Sequence, residues 1–168
     1  STVANGASGR PSIGGAHGEM IAFESVATDL TAGFTDTNGP GANDVYVRDT
    51  DINATTLLSH AVGNAATGGS GASEAPAIDT TGVVVAFESD SSDLIALDAN
   101  SVRDIYYARV DAGSPYTKVR ASVTGAGAEG SGGDSSAASV YASGAGRVLV
   151  AFQSEKTNLA SVVATTNV

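Results

Sequence analysis

The stretch Val83-Val84-Val85-Ala86-Phe87-Glu88-Ser89 decides the fold, because it is the middle one of three cognate stretches. Met20-Ile21-Ala22-Phe23-Glu24-Ser25 precedes it, and Val148-Leu149-Val150-Ala151-Phe152-Gln153-Ser154 follows it. Phe23 to Phe87 is a step of 64 residues and Phe87 to Phe152 one of 65, and a fixed step of that size marks a tandem array. Side chains alternate along a strand, so Val83, Val85 and Phe87 share one face while Val84 and Ala86 share the other. Both faces are apolar, which predicts a strand covered on both sides by stacked sheets.

Working outward, Gly6-Ala7-Ser8 to Ile13 recurs as Gly71-Ala72-Ser73 to Ile78, and more loosely as Gly133-Asp134-Ser135 to Val140. Each copy sets a glycine at a bend, a serine two places on, and an aliphatic residue expected to begin the entry strand. Turn sequences follow: Gly14 to Gly18, Asp79-Thr80-Thr81-Gly82, and Ala142 to Gly146. They predict a hairpin that pairs the entry strand with the phenylalanine strand. Beyond the phenylalanine, Asp29-Leu30, Asp93-Leu94 and Asn158-Leu159 end comparable loops. There the Asp or Asn is expected to hold loop amides while the leucine tucks under the sheet.

Asp36-Thr37-Asn38 leads to Asp44-Val45-Tyr46-Val47, and Asp98-Ala99-Asn100 leads to Asp104-Ile105-Tyr106-Tyr107. Each pattern opens a third strand. Fourth strands are expected at 55–59 and 117–122. In the third copy Thr165 stands where Asp36 stood, so that repeat is expected to stop before its third and fourth strands. The boundaries are 1–70 for repeat one, 71–132 for repeat two, and 133–168 for a partial repeat three. The fold class is all-β: four-stranded antiparallel sheets in tandem, about two and a half units, one array.

The chain has 168 residues with a net charge of −10, 18 acidic against 8 basic side chains. Such a charge repels phosphate backbones and anionic headgroups, so nucleic acid and membrane surfaces are poor partners. Cysteine is absent, which excludes disulfides, thiolate metal sites and cysteine nucleophiles. No apolar run approaches the roughly 20 residues that a membrane helix needs. His17 and His60 are the only histidines and occupy unrelated places in the repeat, so no Ser-His-Asp relay is assigned. Gly125-Ala126-Gly127-Ala128-Glu129-Gly130 has phosphate-loop spacing, but no helix follows to direct its N-terminus at a phosphate. No catalytic residue is named.

The candidate ligand is Ca2+. It takes six to eight oxygens from carboxylates, amides and carbonyls, and two sets offer them: Asp36, Asn38 and Asp44, and Asp98, Asn100 and Asp104. The competing reading is an Asx-turn that starts a strand, which uses the same residue types.

The phrases VVVAFESDSSDL (83–94) and DTNGPGANDVYVRDT (36–50) resemble the TolB-type, WD-repeat-like β-propeller repeats of many secreted or periplasmic bacterial proteins. The resemblance spans nearly the whole chain through its three copies. It implies propeller-type blades, an extracellular or periplasmic bacterial location, and a structural or binding role. It equally allows an accessory propeller of a larger secreted hydrolase. The pattern is broken where Ala108-Arg109 replaces the Arg48-Asp49 pair. Two and a half blades make an incomplete ring, since four to eight are needed to close one. Three ways of covering the end sheets stay open: the remainder of a longer propeller, a homo-oligomeric ring, or an open head-to-tail stack. The opening at Ser1 suits either a removed leader or a cut from a longer chain.

Overall fold

The computed structural model describes residues 3–111, 113–143, 146–159 and 164–167. Two four-stranded antiparallel meanders come first. β1 (Ser8–Gly14), β2 (Met20–Ser25), β3 (Asp44–Asp49) and β4 (Ala54–Leu57) form one sheet in chain order. β5 (Ser73–Ile78), β6 (Val84–Ser89), β7 (Asp104–Arg109) and β8 (Lys118–Arg120) form the second. The third is built on the long antiparallel pair β9 (Gly132–Ala142) and β10 (Arg147–Lys156), with β11 (Ala164–Asn167) beside β10. Among the described residues no segment is helical.

The central stretch lies where its pattern requires. Val84, Val85, Ala86 and Phe87 are all fully buried. Val85 and Phe87 join Ala22, Val45 and Val47 in the cluster between sheets one and two. Val84 and Ala86 join Val148 and Val150 in the cluster between sheets two and three. The middle sheet is thus covered on both faces, each large apolar side chain contributing about 1.5–3 kcal/mol on burial. Val83 departs from the expected alternation by packing with the second cluster. It precedes the first residue of β6, where strand alternation does not apply.

The three phenylalanines hold one register position. Phe23 pairs with Tyr46 and stacks on it at 5.7 Å; Phe87 pairs with Tyr106 and stacks at 6.0 Å. Phe152 packs toward sheet two. Phe87 is enclosed, whereas Phe23 is half-buried, because among the described residues no further sheet lies against the face it shares with Ile21.

Two expectations need correction. Ile13 and Ile78 stand near or at the ends of β1 and β5, not at their starts. β1 and β5 begin at their serines and β9 three residues before Ser135, and the Ser8–Ser25, Ser73–Ser89 and Ser135–Ser154 hydroxyl pairs, each 2.9 Å, tie both strands together there. The third repeat also does not stop before its third strand, since Ala164–Asn167 pairs with Arg147–Val150. Edge pairing uses backbone groups, so it does not depend on the Asp-x-Asn pattern that the third copy lacks. At the β9–β10 turn, Gly144 and Ala145 lie outside the described residues.

The Asp and Asn before the leucines behave as read, whereas of the leucines only Leu94 is fully buried, Leu30 and Leu159 being half-buried. Asp29, Asp93 and Asn158 accept from the amides of Asn5, Ser70 and Ser131 at 2.9, 2.8 and 2.7 Å. Leu94 is buried in the first cluster.

Candidate metal centre

Both Asp-x-Asn segments sit where the loop ahead of a third strand meets the next repeat, and the strand that follows fixes the second Asp. Asp44 opens β3 and accepts from the Ser59 hydroxyl at 2.7 Å, while Ser59 accepts from the Val45 amide. Asp104 opens β7 and is bound likewise by Ser122, which accepts from the Ile105 amide. Asn38 and Asn100 reach back to these carboxylates with their Nδ2 groups, at 3.5 and 3.1 Å. The residues singled out in the sequence therefore come together as two matching groups, one per repeat.

Their electrostatics differ. In the second group the Arg120 guanidinium lies 3.2 Å from Asp98, 3.3 Å from Asp104 and 2.5 Å from Glu129. Lys156 of β10 adds an ammonium 3.1 Å from Asp104, both side chains being fully buried. Burial alone would raise Glu129, but the Ala99 amide and Arg120 pull its carboxyl down to about 2. Burial raises Asp98, against the hydrogen bond from the Tyr106 hydroxyl and the charge of Arg120. Asp98, Asp104 and Glu129 each offer an oxygen within 4.8 Å of the others, close enough to hold one metal ion. Two protein cations already stand in that space.

The first group has no such partner. Among the described residues neither Asp36 nor Asp44 forms an ion pair. Leu57 pairs with Tyr46 where Arg120 pairs with Tyr106, Gly68 bridges His60 where Glu129 bridges Val123, and Ser91 of sheet two lies beside Gly69 where Lys156 of sheet three lies beside Gly130. Gly68 leaves the Asp44 carboxylate room, since a Cβ there would lie 3.1 Å from it. Burial, with Asp36 nearby, pushes the Asp44 carboxyl up to about 6. Asn38 Oδ1 is a buried acceptor with no hydrogen-bond donor. Asp36 itself forms the Asx-turn, accepting from the Asn38 and Gly39 amides at 3.1 and 3.0 Å.

Sequence reasoning passed over Arg120, Glu129 and Lys156. Glu129 lies inside the glycine-rich stretch whose phosphate-loop spacing is set aside for want of a helix, and the two cations stand at positions with no charged counterpart in the other repeats. His60 is buried, with Lys118 Nζ 3.0 Å from its Nδ1 and the Tyr116 carbonyl 3.1 Å from its Nε2. Desolvation holds its pKa below the ordinary value, and that of Lys118 down to about 8.

One further contact recurs between sheets. Glu24 Oε2 accepts from the Ala75 amide at 2.9 Å, and Glu88 Oε1 from the Ala137 amide at 2.7 Å. Ala75 and Ala137 have φ of 49° and 55°. Both sit where the entry strand slips register against the phenylalanine strand, which aims a free amide at the preceding sheet. Beside this latch the Ser73 amide donates to the Asn43 carbonyl at 2.8 Å, and Ser135 to Arg103 at 2.9 Å.

No family model matches this chain, and no curated protein matches it.

Proposed function

We propose that this chain is a non-catalytic structural and binding module of propeller-type, TolB-like and WD-repeat-like blades. It works in the extracellular or periplasmic space of a bacterium and associates with further blades of its own kind. The observation that carries the reading is the repeated latch: one glutamate-to-bulge hydrogen bond joins sheet one to two and sheet two to three. A linear stack built from one reusable joint has two ends able to take more of the same. Sedimentation equilibrium tests the reading, with the average mass expected to climb above that of one chain as concentration rises. A single-chain mass at every concentration would remove self-association from it.

Ca2+ fits the first group better than the second. Asp36, Asp44 and the undonated Asn38 Oδ1 present oxygens without a competing cation, whereas Arg120 and Lys156 occupy the second set. Asp44 titrates near 6 when folded against 3.8 for a free carboxyl. Between those values the folded chain holds a proton that the unfolded chain releases. Stability without metal should therefore fall as pH rises through this window, by roughly 3 kcal/mol at most. Calcium favours the carboxylate and should offset the loss, so at pH 7 it is expected to raise the melting temperature by several degrees and EDTA to reverse the gain. Asp44→Asn should abolish both the pH slope and the calcium response. Melting indifferent to calcium and EDTA would strike Ca2+ from the reading.

A further inference from the structure

The two ends of the stack carry the unused halves of its internal joint. On the outer face of sheet one, Arg10 has φ 44° and lies in the β1–β2 register slip, the place held by Ala75 and Ala137 in the other entry strands. By the geometry of Ala75 and Ala137 its amide is directed away from sheet two, to a side on which no described sheet stands. On the outer face of sheet three, Gln153 pairs with Ser136 as Glu88 pairs with Glu74 and Glu24 with Gly9. Gln153 is exposed, and its side-chain carbonyl can accept the same hydrogen bond that Glu24 and Glu88 accept.

The apolar groups complement each other in the same sense. Inside the stack, Phe87 shares a cluster with Ala22 of the preceding sheet, and Phe152 packs on the cluster containing Ala86. A small residue on one sheet thus makes room for the ring of the next. At the ends Ala151 is exposed on sheet three and Phe23 is half-buried on sheet one, flanked by Ile13, 64% exposed. Opposite them, Tyr141 of sheet three is 55% exposed. Each face lacks what the other offers.

We infer that two copies of this chain join head to tail, with the outer face of sheet three on one copy seated against the outer face of sheet one on the next. Gln153 takes the Arg10 amide and Phe23 lies over Ala151. This deepens the proposed self-association and rests on it. The contact is heterologous: the surface used on one copy differs from that used on its neighbour, so assembly closes into a ring or runs on as a filament.

The native chain has no cysteine, so single thiols report the geometry directly. Arg10→Cys and Gln153→Cys are prepared separately, checked for native circular dichroism, and treated with a short bis-maleimide linker alone and mixed. Cross-linked dimer is expected in the mixture and not in either variant alone. In parallel, Gln153→Glu restores the residue used at both internal joints and should tighten association about tenfold by making the hydrogen bond charge-assisted. Ala151→Arg fills the seat of Phe23 and should weaken association by at least about tenfold with the melting temperature nearly unchanged. Like-with-like cross-linking, or association indifferent to Ala151→Arg, would overturn the head-to-tail contact while leaving self-association standing. A chain that stays single at every concentration overturns both.

Discussion

Phe87→Ala is expected to lower the stability of the chain by about 3–5 kcal/mol, whereas Phe23→Ala, at the same place in repeat one, should cost about 1 kcal/mol. The two residues share register, partner and sequence context, so the difference isolates position in the stack. Phe87 is fully enclosed between sheets one and two and stacks on Tyr106; its removal leaves a cavity lined by Ala22, Val45 and Val85. Surrounding strands cannot collapse into that space without breaking two ladders of hydrogen bonds, so most of the cavity remains. Phe23 lies on an end face, and water can take the place of the missing ring. Urea unfolding monitored by circular dichroism measures both. Equal costs would mean that the middle and end sheets are not in the relation described. If copies join head to tail, Phe23→Ala should also weaken association, a readout that Phe87→Ala in the interior does not directly touch.

The strand pattern, the stacking of both faces and the role of Asp29, Asp93 and Asn158 were legible in the sequence because each is local and repeats. A period of two along β6 and an Asp or Asn before a leucine are properties of neighbours in the chain. The Glu24 and Glu88 latches were not legible. Their amides come from Ala75 and Ala137, residues with positive φ but no glycine to signal it, and the contact spans 51 and 49 residues. The candidate metal centre was legible by half. Asp36, Asn38, Asp44 and their counterparts announce themselves by spacing, but the cations that decide whether such a group needs a metal come from β8 and from the next sheet. Arg120 has Leu57 as its counterpart, and Lys156 has Ala27 and Ser91. A search for what is common to the copies passes over what makes one copy different.

That asymmetry makes Arg120 the most consequential charged residue of the second repeat. Arg120→Leu installs the residue found at the corresponding place in repeat one, yet it should destabilise the chain by about 3–5 kcal/mol, the usual penalty for stripping a buried charge of its partner. Asp98 and Asp104 are buried with side chains 4% and 0% exposed, and Lys156 alone would remain to face them and Glu129. For a chain of this length the melting temperature should fall by roughly 6–20 °C. The loss should depend on pH with a definite sign. Arg120 opposes the burial that raises Asp98 and helps to hold Glu129 down, so without it both carboxyls rise and the folded variant holds protons that the native folded chain has released. The deficit should then be smallest near pH 4 and grow as pH rises toward 7. Adding Glu129→Gly, the residue of repeat one, should recover part of it by removing one negative charge. The same variant tests the metal-binding capacity of the acidic triad. With the guanidinium gone, Asp98, Asp104 and Glu129 retain oxygens within reach of one ion, and millimolar Ca2+ or Mg2+ should restore several degrees to Arg120→Leu. In the double variant with Glu129→Gly the rescue should shrink, because one ligand is missing. A cost below about 1 kcal/mol, or one that does not change with pH, would show that Arg120 is not the counter-charge of this cluster.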